Sequence, residues 1–88
     1  MDAKKMEKIA KGFANHWRIR IINLLHEKPD LSVFEIADEL DANFKTISEH
    51  LKKMSAAGLV LKRNVTNEVE HALSENGKVV LKFLKNLE

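Results

Sequence analysis

The chain has no cysteine, no tyrosine, one proline and three glycines in 88 residues. Without cysteine there is no disulfide to brace a small domain and no thiolate to bind a soft metal ion. The glycines, Gly12, Gly58 and Gly77, stand alone, so no phosphate-binding loop is present. Aromatic residues make up only 6% and offer no evident stacking platform, which argues against single-stranded RNA as the ligand. No apolar run approaches the roughly 18 residues that cross a bilayer. The start, MDAKKMEKIAKGF, lacks the apolar core of a signal peptide, so a cytoplasmic location is expected. Linkers, repeats and low-complexity stretches are also missing. Neither a nucleophile set with supporting glycine motifs nor a pocket-forming acid pair is present, and a chain this short can hardly enclose a substrate; it is not expected to be an enzyme.

Hydrophobic residues at 44% and charged residues at 32% suit one folded domain spanning 1–88. A domain of this size buries only about 60–65% of its unfolded surface, so a partner subunit is a natural source of extra stability. Net charge is +2, but the charge is sorted along the chain. Residues 1–26 are basic. Residues 27–42 carry Glu27, Asp30, Glu35, Asp38, Glu39 and Asp41 against Lys28. Residues 43–63 carry Lys45, Lys52, Lys53, Lys62 and Arg63 against Glu49.

Hydrophobic periodicity predicts a first helix to about Phe13, with Ala3, Met6, Ile9, Ala10 and Phe13 on one stripe. Asn15 can cap a second, His16–Glu27, whose apolar residues fall on two sides, as in a central helix. Pro29-Asp30 ends it, and Leu31 can add a very short strand. Ser32-x-x-Glu35 is a capping box that starts a helix through Leu40, with Val33 or Phe34, Ile36, Ala37 and Leu40 inward. Asp41-Ala42 turns the chain, Asn43 caps a helix to about Ala57, and Gly58 stops it. Residues 59–65 and 68–73 read as strands joined at Thr66-Asn67, and Ser74 caps a last helix to about Leu87. The expected fold is mainly α with a small β-hairpin: a winged helix-turn-helix in the order α-α-β-α-α-β-β-α. The helix-turn-helix lies at 32–58, the wing at 59–73, and flanking helices at 1–14 and 75–88.

On a helix over 44–57, Ile47, Leu51 and Met54 cluster on one arc, while Lys45, Glu49, Lys52 and Ala56 lie opposite. The N-terminal part of such a helix enters a DNA major groove. Candidate base contacts are Phe44, Lys45, Ser48 and Glu49: lysine can donate to guanine, glutamate can accept from cytosine, and a phenylalanine can touch a thymine methyl. Thr46, His50, Lys52 and Lys53 are candidate phosphate contacts, Asn43 completes the set at the helix start, and Arg63 is the candidate on the wing. Glu49 and the acids at 38, 39 and 41 work against phosphate binding if they face it. A winged helix serving as a protein-interaction module, with the acidic stretch meeting a basic partner, is the competing expectation.

The chain resembles the ArsR-type winged-helix regulators over about residues 9–73. The segments that carry the resemblance are Phe13–Leu25 (FANHWRIRIINLL), Glu35–Leu40 (EIADEL), Asn43–Met54 (NFKTISEHLKKM) and Ala57–Val60 (AGLV). The segment Leu73–Lys78 (LSENGK) is similar to one that follows the wing in MarR-type regulators. The resemblance implies a homodimer that binds a near-palindromic site on double-stranded DNA and represses transcription, with the first and last helices pairing across a two-fold axis. Met6, Ile9, Phe13, Val80, Phe83, Leu84 and Leu87 are then expected to supply core and dimer contacts. Glu49 departs from the arginine usual before the family's histidine, so base preferences should differ from those of relatives. Many relatives bind metals through thiolates or through histidines and acids on the last helix. Here His16, His26, His50 and His71 are scattered, and polar-surface or capping roles are expected for them, with packing and phosphate contact for His50; neither a metal nor a cofactor is expected.

Overall fold

The computed structural model describes all residues, Met1–Glu88. Five helices form, each started by a side chain that accepts the backbone N–H groups its first turn leaves unpaired. Asp2 caps α1 (Ala3–Phe13), Asn15 caps α2 (His16–Glu27), Ser32 caps α3 (Val33–Glu39), Asn43 caps α4 (Phe44–Ala56) and Ser74 caps α5 (Glu75–Asn86). The capping box closes in both directions: the Glu35 amide donates to Ser32 Oγ at 3.2 Å, and the Ser32 amide donates to Glu35 Oε1 at 2.9 Å.

The turns that end α3 and α4 share one hydrogen-bond pattern. After α4, the Gly58 amide donates to the Ser55 carbonyl and the Leu59 amide to the Met54 carbonyl, both at 3.0 Å, with Gly58 at φ 77°. After α3, the Asp41 amide donates to Asp38 at 3.2 Å and the Ala42 amide to Ala37 at 2.9 Å, with Asp41 at φ 51°. Aspartate tolerates the left-handed region better than most side chains, so it can occupy the position that glycine takes at 58.

The hairpin pairs β1 (Val60–Val65) with β2 (Glu68–Leu73), Val60 opposite Leu73 and Val65 opposite Glu68. The short strand expected at Leu31 is a single antiparallel bridge to His71. It joins the hairpin to the start of α3, because the Asp30 amide donates to the His71 carbonyl at 3.0 Å and the His71 amide to the Leu31 carbonyl at 2.9 Å. The element order is that of a winged helix-turn-helix, with the hairpin as wing.

Helix α2 packs against α1, α4, α5 and β2, which explains why its apolar residues are not confined to one stripe. Ile21, Ile22 and Leu25 from α2, Ile36 from α3, and Ile47, Leu51 and Met54 from α4 form the core centre, closed by Leu59. One choice left open by the sequence is resolved, and one expectation is corrected. Val33, not Phe34, turns inward from α3; Phe34 is 69% exposed. Beyond its base the hairpin buries neither face, and Leu61, Val65 and Val69 are exposed. His71 is not a surface histidine: it is 2% exposed, and its Nδ1 lies 2.9 Å from the Leu31 carbonyl.

The start of α5 is fixed to the end of α4. Ser74 donates through its amide to the Leu59 carbonyl at 3.0 Å and through Oγ to the Gly58 carbonyl at 2.6 Å. One turn on, Gly77 lies against the same Leu59 carbonyl, with no room for a Cβ between them. An exposed helical glycine replaced by alanine gains up to about 1 kcal/mol. Gly77→Ala should instead lose roughly 1–3 kcal/mol through overpacking. Urea unfolding measures this, and a variant as stable as the parent would mean that the Leu59–Gly77 contact yields freely.

Candidate nucleic-acid interface

Helix α4 is divided along its length. Ile47, Leu51 and Met54 are buried, while Lys45, Thr46, Glu49, Lys52 and Lys53 are exposed and Ser48 is half-buried. Asn43 Oδ1 accepts from the amides of Lys45 at 2.8 Å and Thr46 at 3.3 Å. Its oxygen is therefore engaged in capping, and only its NH2 group remains for a ligand. Glu49 takes part in no ion pair, so its carboxylate stays available on the exposed face.

Phe44 does not stand alone. Its ring stacks on that of Phe34, with centroids 4.3 Å apart and planes 21° apart, and it remains 43% exposed. The two rings make an apolar ledge across the helix-turn-helix turn. The ledge borders a groove of about 280 Å³ that Val33, Asn67, Glu68 and Val69 also line, so the wing tip lies beside the start of α4. Sequence reasoning missed Phe34. The available signal was a pair of phenylalanines ten positions apart, one in the first turn of each helix.

His50 is half-buried, and its Nδ1 accepts from Arg18 Nε at 3.1 Å. Arg18 Nη1 donates in turn to the Lys11 carbonyl at 2.6 Å. Burial first, then the charges of Arg18, Lys53 and His16, hold the imidazole below the usual histidine range. His50 therefore ties α4 to α2 as a neutral ring and offers a ligand at most its Nε2–H. Arg63 is exposed but committed: its Nη2 lies 2.9 Å from Glu70 Oε1 and 3.8 Å from Asp30 Oδ1, and both acids hold it charged. In the acidic stretch, Glu39 pairs with Lys28 at 2.8 Å, Asp30 lies near Arg63 and Glu35 is used in the capping box, which leaves Glu27, Asp38 and Asp41 without ion pairs.

Helices α1 and α5 meet through Phe13 and Phe83, edge-on with centroids 6.2 Å apart. Met6, Phe83 and Leu87 are exposed, together with Val79; Ile9, Phe13 and Leu84 are half-buried. Val80 is only 6% exposed and belongs to the protomer's own core. Metal donors do not assemble: no three His, Asp or Glu side chains converge, cysteine is lacking, and the Nδ1 atoms of His50 and His71 are engaged. These residues do not fit the thiolate or histidine–acid metal sites of metal-binding relatives.

A helix-turn-helix with a wing and a polar, lysine-bearing face on its second helix defines a DNA-binding winged-helix regulator. The chain belongs to the arsR family of bacterial regulatory proteins, whose pattern matches residues 16–62. It is 32% identical over 85 residues to the uncharacterized HTH-type transcriptional regulator MJ1325 of Methanocaldococcus jannaschii, a match covering 96% of each chain. HlyU of Vibrio cholerae superposes with a TM-score of 0.84 at 29% identity, over 99% of this chain and 97% of that one. A homodimeric winged helix-turn-helix DNA-binding domain from Mycobacterium bovis, a possible ArsR-family regulator, gives 0.86 at 22% identity, over 96% of this chain and 78% of that one; at that identity the likeness concerns the fold. The family and the Methanocaldococcus jannaschii relative are transcriptional regulators, not enzymes. No helix is long and apolar enough to cross a membrane.

His50 and His71 share one thermodynamic consequence. Burial is the largest cause depressing each, and at His71 it outweighs the opposing hydrogen bond to the Leu31 carbonyl. The unfolded chain therefore takes up protons first as pH falls, so their stabilisation is complete above the ordinary histidine value and is lost below it. The melting temperature should stay level from about pH 8 to 7 and fall from about pH 6.5 to 5.5. Replacing both by glutamine should lower the melting temperature near pH 7.5 and flatten that fall; an unchanged slope would assign it to other groups.

Proposed function

We propose that the protein is a homodimeric, sequence-specific DNA-binding repressor that lays α4 in the major groove. The observation that carries this reading is the division of α4: three fully buried residues fix its orientation, and the opposite face is exposed and carries three lysines against one carboxylate. Lys45 donates to guanine O6 or N7, and Glu49 accepts from cytosine N4, which makes the lone carboxylate a reader. Phe44, backed by Phe34, meets a thymine methyl, and Ser48 adds a hydroxyl beside them. Thr46, Lys52 and Lys53 contact phosphates, and His50 adds a neutral donor. Because Arg63 is paired to Glu70, the wing contributes through its tip at Asn67 more than through charge. The exposed side chains of α1 and α5 close the dimer, since burying each large apolar group fully stabilises by about 1.5–3 kcal/mol. Two copies of α4 then address an inverted repeat, and occupation of that site blocks transcription from it. A cytoplasmic location accords with this role.

The unpaired Asp38 and Asp41 support a second reading, a module that docks a basic protein and binds no DNA. Selection from a random duplex library separates the two: the first reading yields an inverted repeat with half-sites about 10 base pairs apart, centre to centre. Against the selected site, charge reversal at both Lys45 and Lys52 should weaken binding by at least roughly 100-fold. Parental affinity in that variant would place binding on another surface.

Light scattering at micromolar concentration should give about twice the chain mass of 10.1 kDa. Phe83→Glu with Leu87→Glu should return the single-chain mass, because a dimer cannot bury two carboxylates from each protomer without pairing them. A parent that scatters as one chain would remove the dimer and the inverted repeat with it.

A further inference from the structure

A second cationic surface lies beside the reading helix. Helices α1, α2 and the C-terminal half of α4 enclose a shallow cleft of about 230 Å³. Its cations are Lys8 and Lys11 from α1, Arg18 from α2 and Lys53 from α4, and no carboxylate lines it. The one acid paired to these cations is Glu7, 3.8 Å from Lys11 Nζ. Both of those groups are well exposed, so the pair leaves Lys11 largely uncommitted. The floor is formed by Gly12 and Ala57; a Cβ added at Gly12 would lie 2.5 Å from the Ala57 Cβ, so α1 and α4 approach as closely as small residues permit.

Arg18 is already ordered for a ligand. Its Nε and Nη1 are held by His50 and the Lys11 carbonyl, which fixes the guanidinium plane and leaves the Nη2 protons unused. Position along α4 completes the argument. Lys45 and Lys53 are eight residues apart, about 12 Å along a helix, and the major groove is about 12 Å wide. A helix with Lys45 at the base edges therefore brings Lys53 and the cleft beside it to the phosphates that border the groove. The wing tip lies by the start of α4, so the cleft marks the opposite limit of the contact surface.

We propose that this cleft seats a backbone phosphate of the duplex, and that Lys8, Lys11 and Arg18 extend the DNA contact from the helix-turn-helix onto α1 and α2. This rests on the DNA-binding reading above and assigns a role to residues outside the reading helix and the wing. The contact is to phosphate, so it adds affinity and salt dependence without sequence preference.

The test compares the parent, Lys8→Gln/Lys11→Gln, and a control of equal charge loss on α5, Lys82→Gln/Lys85→Gln, on the selected duplex across a salt series. Circular dichroism checks that each is folded. The α1 variant should show a log–log salt slope shallower by about one unit per protomer, weaker binding by roughly tenfold near 100 mM salt, and unchanged base preference. The α5 control should keep the parental slope. A parental slope in the α1 variant, with the parent binding normally, overturns the phosphate seat and leaves the DNA reading intact. A parent that binds no duplex overturns both. A parallel titration with inorganic phosphate covers the other source of the same chemistry: saturable amide shifts at Gly12 and Arg18 alongside an unchanged DNA slope would assign the cleft to a free anion and overturn the proposal.

Discussion

Two carbonyl groups, those of Gly58 and Leu59, set the geometry of most of this domain. The left-handed conformation of Gly58 reverses the chain at the end of α4, and the Leu59 amide closes back on Met54. Ser74 then takes both carbonyls, one through its hydroxyl and one through its amide, and Gly77 passes directly over the second. The reading helix, the wing and the last helix are thereby referred to one point in the backbone. The exposed face of α4 and the surface that carries the exposed apolar residues of α5 are connected through a few backbone-anchored hydrogen bonds, without a flexible linker.

Charge in this molecule is governed by pairing more than by totals. The sequence places acids before the reading helix and cations within and after it, which looks self-opposing. In the folded chain several of these charges are already used: Glu39 by Lys28, Glu35 by the α3 cap, Arg63 by Glu70 and Asp30. Among the cations without an acid partner, Lys45, Lys52 and Lys53 lie together on α4, and those of the neighbouring cleft adjoin them, Lys11 being held only by its loose pair with Glu7. A surface with a net charge of only +2 over the whole chain thus presents a concentrated positive strip on one side.

What could be read from the sequence was local. Asn15, Ser32, Asn43 and Ser74 announce helix starts within three residues of the amides they cap, and the 3.6-residue period of Ile47, Leu51 and Met54 fixes the buried side of α4. The unread features depend on distant neighbours. Arg18 meets His50 across 32 positions and His71 meets Leu31 across 40, so neither pairing leaves a trace in spacing. Phe34 and Val33 are equally placed by period, and packing against the rest of the fold decides which turns inward. Gly77 fits a helical pattern like any small residue until a carbonyl from another element is laid across it. The face of the candidate site was legible; the commitments of Arg63 and His50 on it were not.

The Phe34–Phe44 stack has a practical meaning for anyone wishing to retarget such a regulator. Residues at the start of a recognition helix are the usual choice for exchange, on the assumption that they answer only to the bases. Here the first of them is also half of the joint between α3 and α4. Swapping Phe44 for a polar reader would strip Phe34 of the ring it stacks on, although Ile47, Leu51 and Met54 would still hold the axis of the helix. A new specificity grafted onto this scaffold has to keep a flat ring at that position or rebuild the joint at the same time.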